Sequence, residues 1–307
     1  MLDFLTAPKL PRTSVSINET HVAMVELRPR SKGLEARHVG VTQLPVGLLR
    51  AHFTEPNLTN EATFIELLNR TAEQAGLSRT RKLMVSLPEA SARSFVASLD
   101  NVPASRAELR QMIEWKAERN LGAKAADLHL THRRLETLAG KANYLISAVH
   151  QRVLEQYEKV FEEMGWQAGV IMPQHLGEAQ WLMRADIPED QAMVSLNSRG
   201  FTVVIVRGQE PILVREIVCS PAEREDEFYR LMIYYRDRLL PDNGSGIVNR
   251  LLTIGAPEEQ ESFRRTLEAA LERRPVVLNP QSLGFNLDSN APFNRLAAAA
   301  GLATLGC

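Results

Sequence analysis

The sequence predicts an α/β protein whose core is built twice. The stretches "VSIN" (Val15 to Asn18) and "VSLN" (Val194 to Asn197) are almost the same, and each leads into a second strand-like run, "HVAMVEL" or "FTVVIVRG". In both halves, strand-like runs then alternate with amphipathic helical segments. A four-residue repeat alone is also compatible with chance, but the matching order of elements around the two copies favours a duplication.

The first half begins with a predicted strand pair from Thr13 to about Arg28, with its bend at Asn18 to His21. Apolar residues on one face then predict a helix from Glu61 to Gly76, where glycine suits the helix end. The further elements predicted for this half are a strand at 82–88, a helix after Pro103, a strand at 142–150, a helix at 152–165, the strand "QAGVIMP" and a helix at 174–184.

The second half repeats this order after a predicted hinge at Asp186 to Gln191, the best candidate for a domain boundary. The elements expected beyond the hinge are strands at 192–197, 201–206 and 212–218, a helix at 223–239, the strand "RLLTIG", a helix at 259–271, the strand "PVVLN" and a closing helix at 293–305. The alternation of strands and helices indicates that this half is also an α/β unit.

Composition excludes several classes of function. Lys and Arg number 36 against 37 for Asp and Glu, which argues against a nucleic-acid partner. The two cysteines, Cys219 and Cys307, make a disulfide framework improbable and fit a reducing cytoplasm. No apolar run is long enough to span a membrane, so we expect a cytoplasmic protein that reaches the membrane through a partner. The basic run Arg28 to His38 predicts a solvated hairpin tip, or a contact for acidic lipid or a partner.

The sequence contains no recognisable catalytic or metal-binding pattern. The seven histidines are scattered, and none has Cys or an acid at metal-ligand spacing, so no metal site is expected. Walker, Gly-x-Ser-x-Gly and Gly-x-Gly-x-x-Gly patterns do not occur. We therefore expect no catalytic residues of these classes.

Six segments in order resemble one family. They are "TSVSINETHVAMVEL", "LMVSLPEASARSF", "IEWKAERNLG", "MVSLNSRGFTVVIVRGQEPILVREI", "RLLTIGA" and "FNRLAAAAGLATLG". Nearly end to end, the chain resembles the type IV pilus assembly protein PilM family of the actin-like ATPase superfamily. The resemblance implies a duplicated actin-like, ribonuclease-H-like fold with a small α+β subdomain inserted in the first lobe. The implied domains are 1–186 with the insertion at about 102–150, then 187–292, and a C-terminal helix at 293–307 that packs back on the first lobe.

The resemblance also implies a function. Proteins of this family act as cytoplasmic scaffolds that bind the N-terminal tail of a bitopic, PilN-like inner-membrane protein and link it to the pilus motor proteins. The tail would lie between the first core subdomain and the insertion, in part by strand addition to a sheet edge. Trp115, Arg119 and Tyr157 are of residue types enriched at interfaces and are candidates for this contact, although their spacing also suits the edge of a core.

The same resemblance indicates that the nucleotide site is degenerate. It places Ser16 and Ser195 where an ATPase of this fold has an aspartate that positions magnesium, and Asn18 and Asn197 where it has a glycine. Asn can keep the left-handed backbone that a glycine would give, so we expect the two turns to survive.

Two further residues weaken the expected site. Glu19 lies in the phosphate bend, where a carboxylate about 4 Å from a phosphate oxygen costs on the order of 4 kcal/mol. Gly255 is followed by Ala256 and Pro257 where a glycine-rich adenosine loop belongs. We therefore expect a pseudo-ATPase without ATP, magnesium or another cofactor. The alternatives are a divergent but active ATP-binding protein of this family and the actin-like cytoplasmic module of a type II secretion system.

Overall fold

The structure is a computed structural model that describes residues 9–31, 33–99, 101, 103–136, 142–240, 247–287 and 292–307. Its strands are β1 (Thr13–Ile17), β2 (His21–Arg30), β3 (Gly33–Gln43), β4 (Lys82–Leu87), β5 (Ala92–Leu99), β6 (Leu128–Leu135), β7 (Ala142–His150), β8 (Gln167–Pro173), β9 (Ile187–Asn197), β10 (Gly200–Gly208), β11 (Glu210–Val218), β12 (Arg250–Ile254), β13 (Val276–Val277) and β14 (Phe285–Asn286). Its α-helices are α1 (Glu61–Gln74), α2 (Arg106–Leu121), α3 (Gln151–Glu163), α4 (Gln174–Met183), α5 (Arg224–Arg238), α6 (Pro257–Leu271) and α7 (Phe293–Ala303).

The two main sheets share one topology, which confirms the predicted duplication. Within the described residues, the first sheet has the strand order β14-β3-β2-β1-β4-β8, and the second has the order β11-β10-β9-β12-β13. In each sheet, three consecutive strands form an antiparallel meander, and the first of these pairs in parallel with the next main strand. The chain therefore has two lobes of the same ribonuclease-H-like design.

A third, smaller sheet belongs to the insertion in the first lobe. It has the order β5-β7-β6, and all its pairs are antiparallel. Helix α2 covers one face through Ile113 and partly buried Leu109 and Met112, which pack on Tyr144 and Ile146. This sheet begins at Ala92, ten residues before the expected start near 102. The reason is that β5 follows β4 after one short turn and pairs with β7 of the small sheet. Val102 itself lies outside the described residues.

Helices α4 and α7 pack together between the two main sheets. Their apolar residues form one cluster with β2 of the first lobe and β10 of the second. The two helices approach closely at Gly301, where an added Cβ would lie 2.1 Å from the Gly177 carbonyl oxygen. The Trp181 indole N–H donates to the Ala297 carbonyl at 3.0 Å, and the Ser14 hydroxyl donates to Ala299 at 2.5 Å. The C-terminal helix thus lies against the first lobe.

The predicted hinge at Asp186 to Gln191 is mostly strand. Strand β9 begins at Ile187, and Asp190 and Gln191 are fully buried. Asp190 accepts two hydrogen bonds from Arg207, at 2.6 and 2.8 Å, and one from Tyr235 at 2.7 Å. A buried carboxylate is tolerated here because it is fully paired, which the local sequence does not show. No helix of the described residues is long and apolar enough to cross a membrane.

Candidate functional site

The first of two candidate sites is a cleft between the lobes. The β1–β2 bend of the first lobe and the β9–β10 bend of the second face each other across a cavity of about 460 Å³. Asn18, Glu19, Asn197 and Gly255 line this cleft, so four of the six predicted cleft residues meet where the duplicated fold places them.

The two asparagines hold their bends in the same way. The Asn18 side-chain oxygen accepts from the Thr20 backbone N–H at 3.2 Å, and the Asn197 side-chain oxygen accepts from the Arg199 N–H at 2.9 Å. Both are Asx turns, in which the side chain takes the place of a backbone acceptor. The expected left-handed backbone is absent: among the described residues other than glycine, only Asp186 and Glu272 have positive φ.

Glu19 crosses the cleft. One of its carboxylate oxygens accepts from the Ala51 backbone N–H at 3.1 Å, and the other accepts from the Ser198 hydroxyl at 2.8 Å. The bend of the first lobe is therefore hydrogen-bonded to the bend of the second. A negative charge fixed here repels a phosphate.

Ser16 and Ser195 lie behind the cleft and do not line its wall. They are only 4% and 3% exposed, respectively. Ser195 is hydrogen-bonded to the Glu178 side chain. A hydroxyl at either position cannot reach a metal ion in the cleft. Among the described residues, no three His, Cys, Asp or Glu side chains are grouped so that they could hold a metal.

The far end of the cleft is filled by protein side chains. An added Cβ at Gly255 would lie 2.1 Å from Leu196 Cδ1, so this glycine makes room for leucine. Arg224 forms an ion pair with Glu259 and also donates to the Asn197 carbonyl at 3.4 Å. The glycine is thus used for packing between two protein segments.

A buried polar cluster, which the sequence did not reveal, lies at the base of the cleft. His175 Nδ1 lies 2.9 Å from a Glu89 carboxylate oxygen, and the Thr202 hydroxyl donates to the same oxygen. Gln174 donates to Glu178 at 2.9 Å. The five residues come from both lobes, and their contacts span up to 113 positions. The one local sign is the spacing of Gln174 and Glu178, which lie four residues apart and therefore on one face of the helix.

Burial and pairing shift the pKa values in this cluster. Burial raises the pKa of Glu178 to about 7, against weaker effects of its hydrogen bonds to Ser195 and Gln174. Burial alone would also raise the pKa of Glu89 and lower that of His175. Burial is the largest single effect on each group, but their mutual attraction and the surrounding hydrogen bonds and charges together outweigh it, so the pKa of Glu89 is lowered and that of His175 is raised. Each of the two groups therefore favours the charged form of the other.

The residues of the cleft do not fit a magnesium nucleotide. Each acid that lines the cleft is already bonded to protein groups: Glu19 to Ser198, Glu89 to His175, Glu216 to Arg93 and Glu259 to Arg224. No acid in this set is free to replace the two that the resemblance finds missing. A nucleotide would also have to displace the Glu19 bridge and the Arg224–Glu259 pair.

The second site is a long groove in the first lobe, with a volume of about 1110 Å³. One wall is β8, which is an edge strand of the first sheet, together with α4. The opposite wall is the face of the small sheet that carries Thr131, Leu145 and Ser147, and α3 adds Glu155 and Glu158. The groove, which is also lined by Arg133 and Arg184, therefore combines a free strand edge with apolar, hydroxyl, acidic and basic side chains.

The three residues predicted to bind a partner do not lie together. Tyr157 is fully buried in the core of the first lobe, where its hydroxyl donates to Asn57 at 3.2 Å, so its selection as a partner contact was wrong. Trp115 and Arg119 lie on the outer side of α2, whereas the groove lies on the opposite face of the small sheet. Neither residue lines the groove.

Two lobes of one topology, with facing hairpins between them, define a protein of the actin-like ATPase fold. The structure is similar to that of the PilM-PilN type IV pilus biogenesis complex, with a TM-score of 0.77 and 15% identity over 97% of this chain and 99% of that one. It is also similar to a Bacteroides thetaiotaomicron protein of actin-like ATPase fold and unknown function, with a TM-score of 0.52 and 11% identity over 99% of each chain.

The cytoplasmic domain of EpsL, an inner-membrane component of the Vibrio cholerae type II secretion system, matches with a TM-score of 0.50 and 10% identity over 94% of each chain. No protein-family model and no curated protein matches the sequence. At these identities, the comparisons establish the fold.

Proposed function

We propose that the chain is a cytoplasmic scaffold of a type IV pilus inner-membrane complex, which binds the N-terminal tail of a bitopic, PilN-like membrane protein. The observation that carries this proposal is the groove between β8 and the small sheet. Through that partner, the protein would lie at the inner membrane and could reach the pilus motor proteins. The fold similarity to the PilM-PilN complex supports pilus assembly over the secretion alternative, for which the TM-score is lower.

The groove suits an extended peptide. Strand β8 pairs only with β4 among the described strands, so one row of its backbone groups is free to pair with an added strand. Leu176 and Leu145 face the groove from opposite walls and can bury alternate apolar side chains of the peptide. Glu155 and Glu158 on α3 favour a basic residue at that end.

We further propose that the protein hydrolyses no ATP. The support is the state of the cleft, where Glu19 is hydrogen-bonded to Ser198 across the two bends and Ser16 and Ser195 are buried. In place of nucleotide, protein hydrogen bonds join the lobes. The alternative of a divergent, active ATPase has no free cleft carboxylate to rely on among the described residues.

The test is a binding measurement with a pair of matched variants. The probe is a labelled peptide from the N-terminus of the bitopic protein that a neighbouring gene should encode if the proposal is right, and binding is followed by fluorescence anisotropy. Thr131→Trp fills the groove from an exposed position, whereas His132→Trp places the same ring on the other face of β6. We expect Thr131→Trp to weaken binding at least about tenfold, and His132→Trp to leave it unchanged. Equal weakening by both variants, or no binding of the peptide by the natural protein, would contradict the proposal that the groove is the binding site.

A further inference from the structure

The outer side of α2 carries an exposed tryptophan between two cations. Trp115 is 53% exposed, and its ring centroid lies 5.5 Å from Lys116 Nζ and 5.4 Å from Arg119 Cζ. Cations at these distances interact with the ring face. We call these three residues the Trp115 surface.

This arrangement is not required for packing of the helix. The buried residues of α2 are Ile113 and Ala117, which face the small sheet, and Trp115 points away from them. A large aromatic side chain left half exposed in a folded protein often marks a contact with something else.

The acids of α2 have partners other than the two cations beside Trp115. Glu114 is paired with Arg110 at 2.7 Å. Glu118 accepts from the Ala125 N–H at 2.8 Å, and Glu108 accepts from the Ala104 N–H at 2.6 Å. Among the described residues, no carboxylate pairs with Lys116 or Arg119. The Trp115 surface therefore keeps its positive charge.

The whole insertion is basic, in contrast to the rest of the chain. Residues 92–150 contain nine Lys and Arg against six Asp and Glu, whereas the chain has a net charge of -1. Local charge of one sign on a nearly neutral protein is typical of a surface that meets an oppositely charged partner.

We propose that the Trp115 surface binds an anionic lipid bilayer. Tryptophan prefers the membrane interface, because its ring is apolar and its N–H is polar, and flanking Lys and Arg are attracted to acidic headgroups. A bilayer can accept one aromatic ring on a convex helix, whereas a stable protein interface needs a larger complementary area. The inference goes beyond peptide binding, since the groove lies on the other face of the small sheet.

The test uses the intact chain with vesicles of phosphatidylglycerol and phosphatidylcholine in equal parts, and with phosphatidylcholine alone. Trp166 and Trp181 are 7% and 2% exposed, so a change in tryptophan emission on binding reports mainly Trp115. We expect flotation with the anionic vesicles at low salt, a blue shift of the emission, and loss of both at high salt.

Charge reversal locates the contact. Lys116→Glu with Arg119→Glu should lower the fraction of protein that floats by about tenfold or more. The matched control, Arg273→Glu with Arg274→Glu, changes net charge equally at exposed residues just after α6 in the second lobe and should leave flotation intact. Trp115→Ala should abolish the blue shift.

Three outcomes would overturn the proposal. The first is no flotation of the natural protein with anionic vesicles, and the second is equal loss in the two double variants. The third is capture of an acidic polypeptide by the Trp115 surface without vesicle binding, which would assign this surface to a protein partner. Circular dichroism of each variant checks that α2 remains folded.

Discussion

Glu19 and Ser198 join the two lobes at the mouth of the cleft. The hydroxyl of Ser198 donates to the carboxylate at 2.8 Å across 179 positions of sequence, while the Ala51 N–H holds the other carboxylate oxygen. A single side chain of the first hairpin thus bonds to a loop of its own lobe and to the second hairpin.

Removing this side chain should loosen the cleft. Glu19→Ala leaves the Ala51 N–H and the Ser198 hydroxyl without this acceptor, so we expect a loss of about 1–2 kcal/mol in the free energy of unfolding. Hydrogen exchange should accelerate at Ala51 and around Ser198. Glu55→Ala, which removes an exposed carboxylate nearby, is the control and should change neither. Unchanged exchange in Glu19→Ala would show that the bridge does not hold the lobes.

Titration calorimetry with Mg-ATP should give no saturable heat. Restoring the two acids alone should not create a site, because Asp at Ser16 or Ser195 would be buried behind the cleft wall and would destabilise the protein. Saturable binding near 1 μM by the natural protein, about -8 kcal/mol, would contradict the pseudo-ATPase proposal.

Gly255→Ala should destabilise the second lobe by about 1–2 kcal/mol, because the new methyl group meets Leu196. Gly169→Ala is the matched control, since its Cβ would have ordinary contacts of 3.9 Å or more. A second substitution, Leu196→Ala, removes the clash. The double variant should therefore lose less free energy than the two single changes added together, as urea unfolding can measure. If the losses of the two single variants simply add in the double variant, Gly255 and Leu196 do not interact and the prediction is wrong.

Stability should fall as the pH rises, because of Glu178. Its native pKa of about 7 lies above the ordinary 4.5, so between these values the native state binds more protons than the unfolded state. This stabilisation is complete below about pH 4.5 and is lost as the pH passes through 7, at most on the order of 3 kcal/mol. The raised pKa of His175 acts in the same direction.

Glu178→Gln tests this assignment. The amide has no charge to bury, so the variant should be at least as stable as the natural protein at pH 8 and should depend less on pH. Urea unfolding at several pH values gives both curves. Parallel curves for the two proteins would place the pH dependence elsewhere.

Local patterns predicted the fold but not its non-local pairings. The repeated hairpins and the 3.6-residue periodicity were enough to predict the duplication. Periodicity also places Tyr157 in line with buried Val153 and Val160, so its burial could have been read from the sequence. By contrast, β5 joins β7 across some fifty positions, and no local feature of its sequence shows which sheet it enters.

In the candidate site, too, the residues at local bends could be predicted, whereas their distant hydrogen-bond partners could not. Asn18, Glu19, Asn197 and Gly255 were predictable as cleft residues, because they lie at the bends of the two hairpins and in the loop after β12. The partners of Glu19 and Glu89 were not, since they are 32 to 179 positions away. The two asparagines are a third case. An asparagine in a turn can adopt a left-handed backbone or can accept a hydrogen bond through its side chain, and only the backbone angles distinguish the two.

Helix α4 borders both cavities. Its first residue, Gln174, lines the cleft, while Leu176 and Met183 line the groove. A rigid helix shared by two sites links their equilibria: whatever binds the groove and moves α4 must also change the free energy of lobe closure, by the same amount in both directions. The groove and the hydrogen bonds between the lobes would thus form one thermodynamic cycle, in which a peptide bound in the groove also shifts the contacts across the cleft.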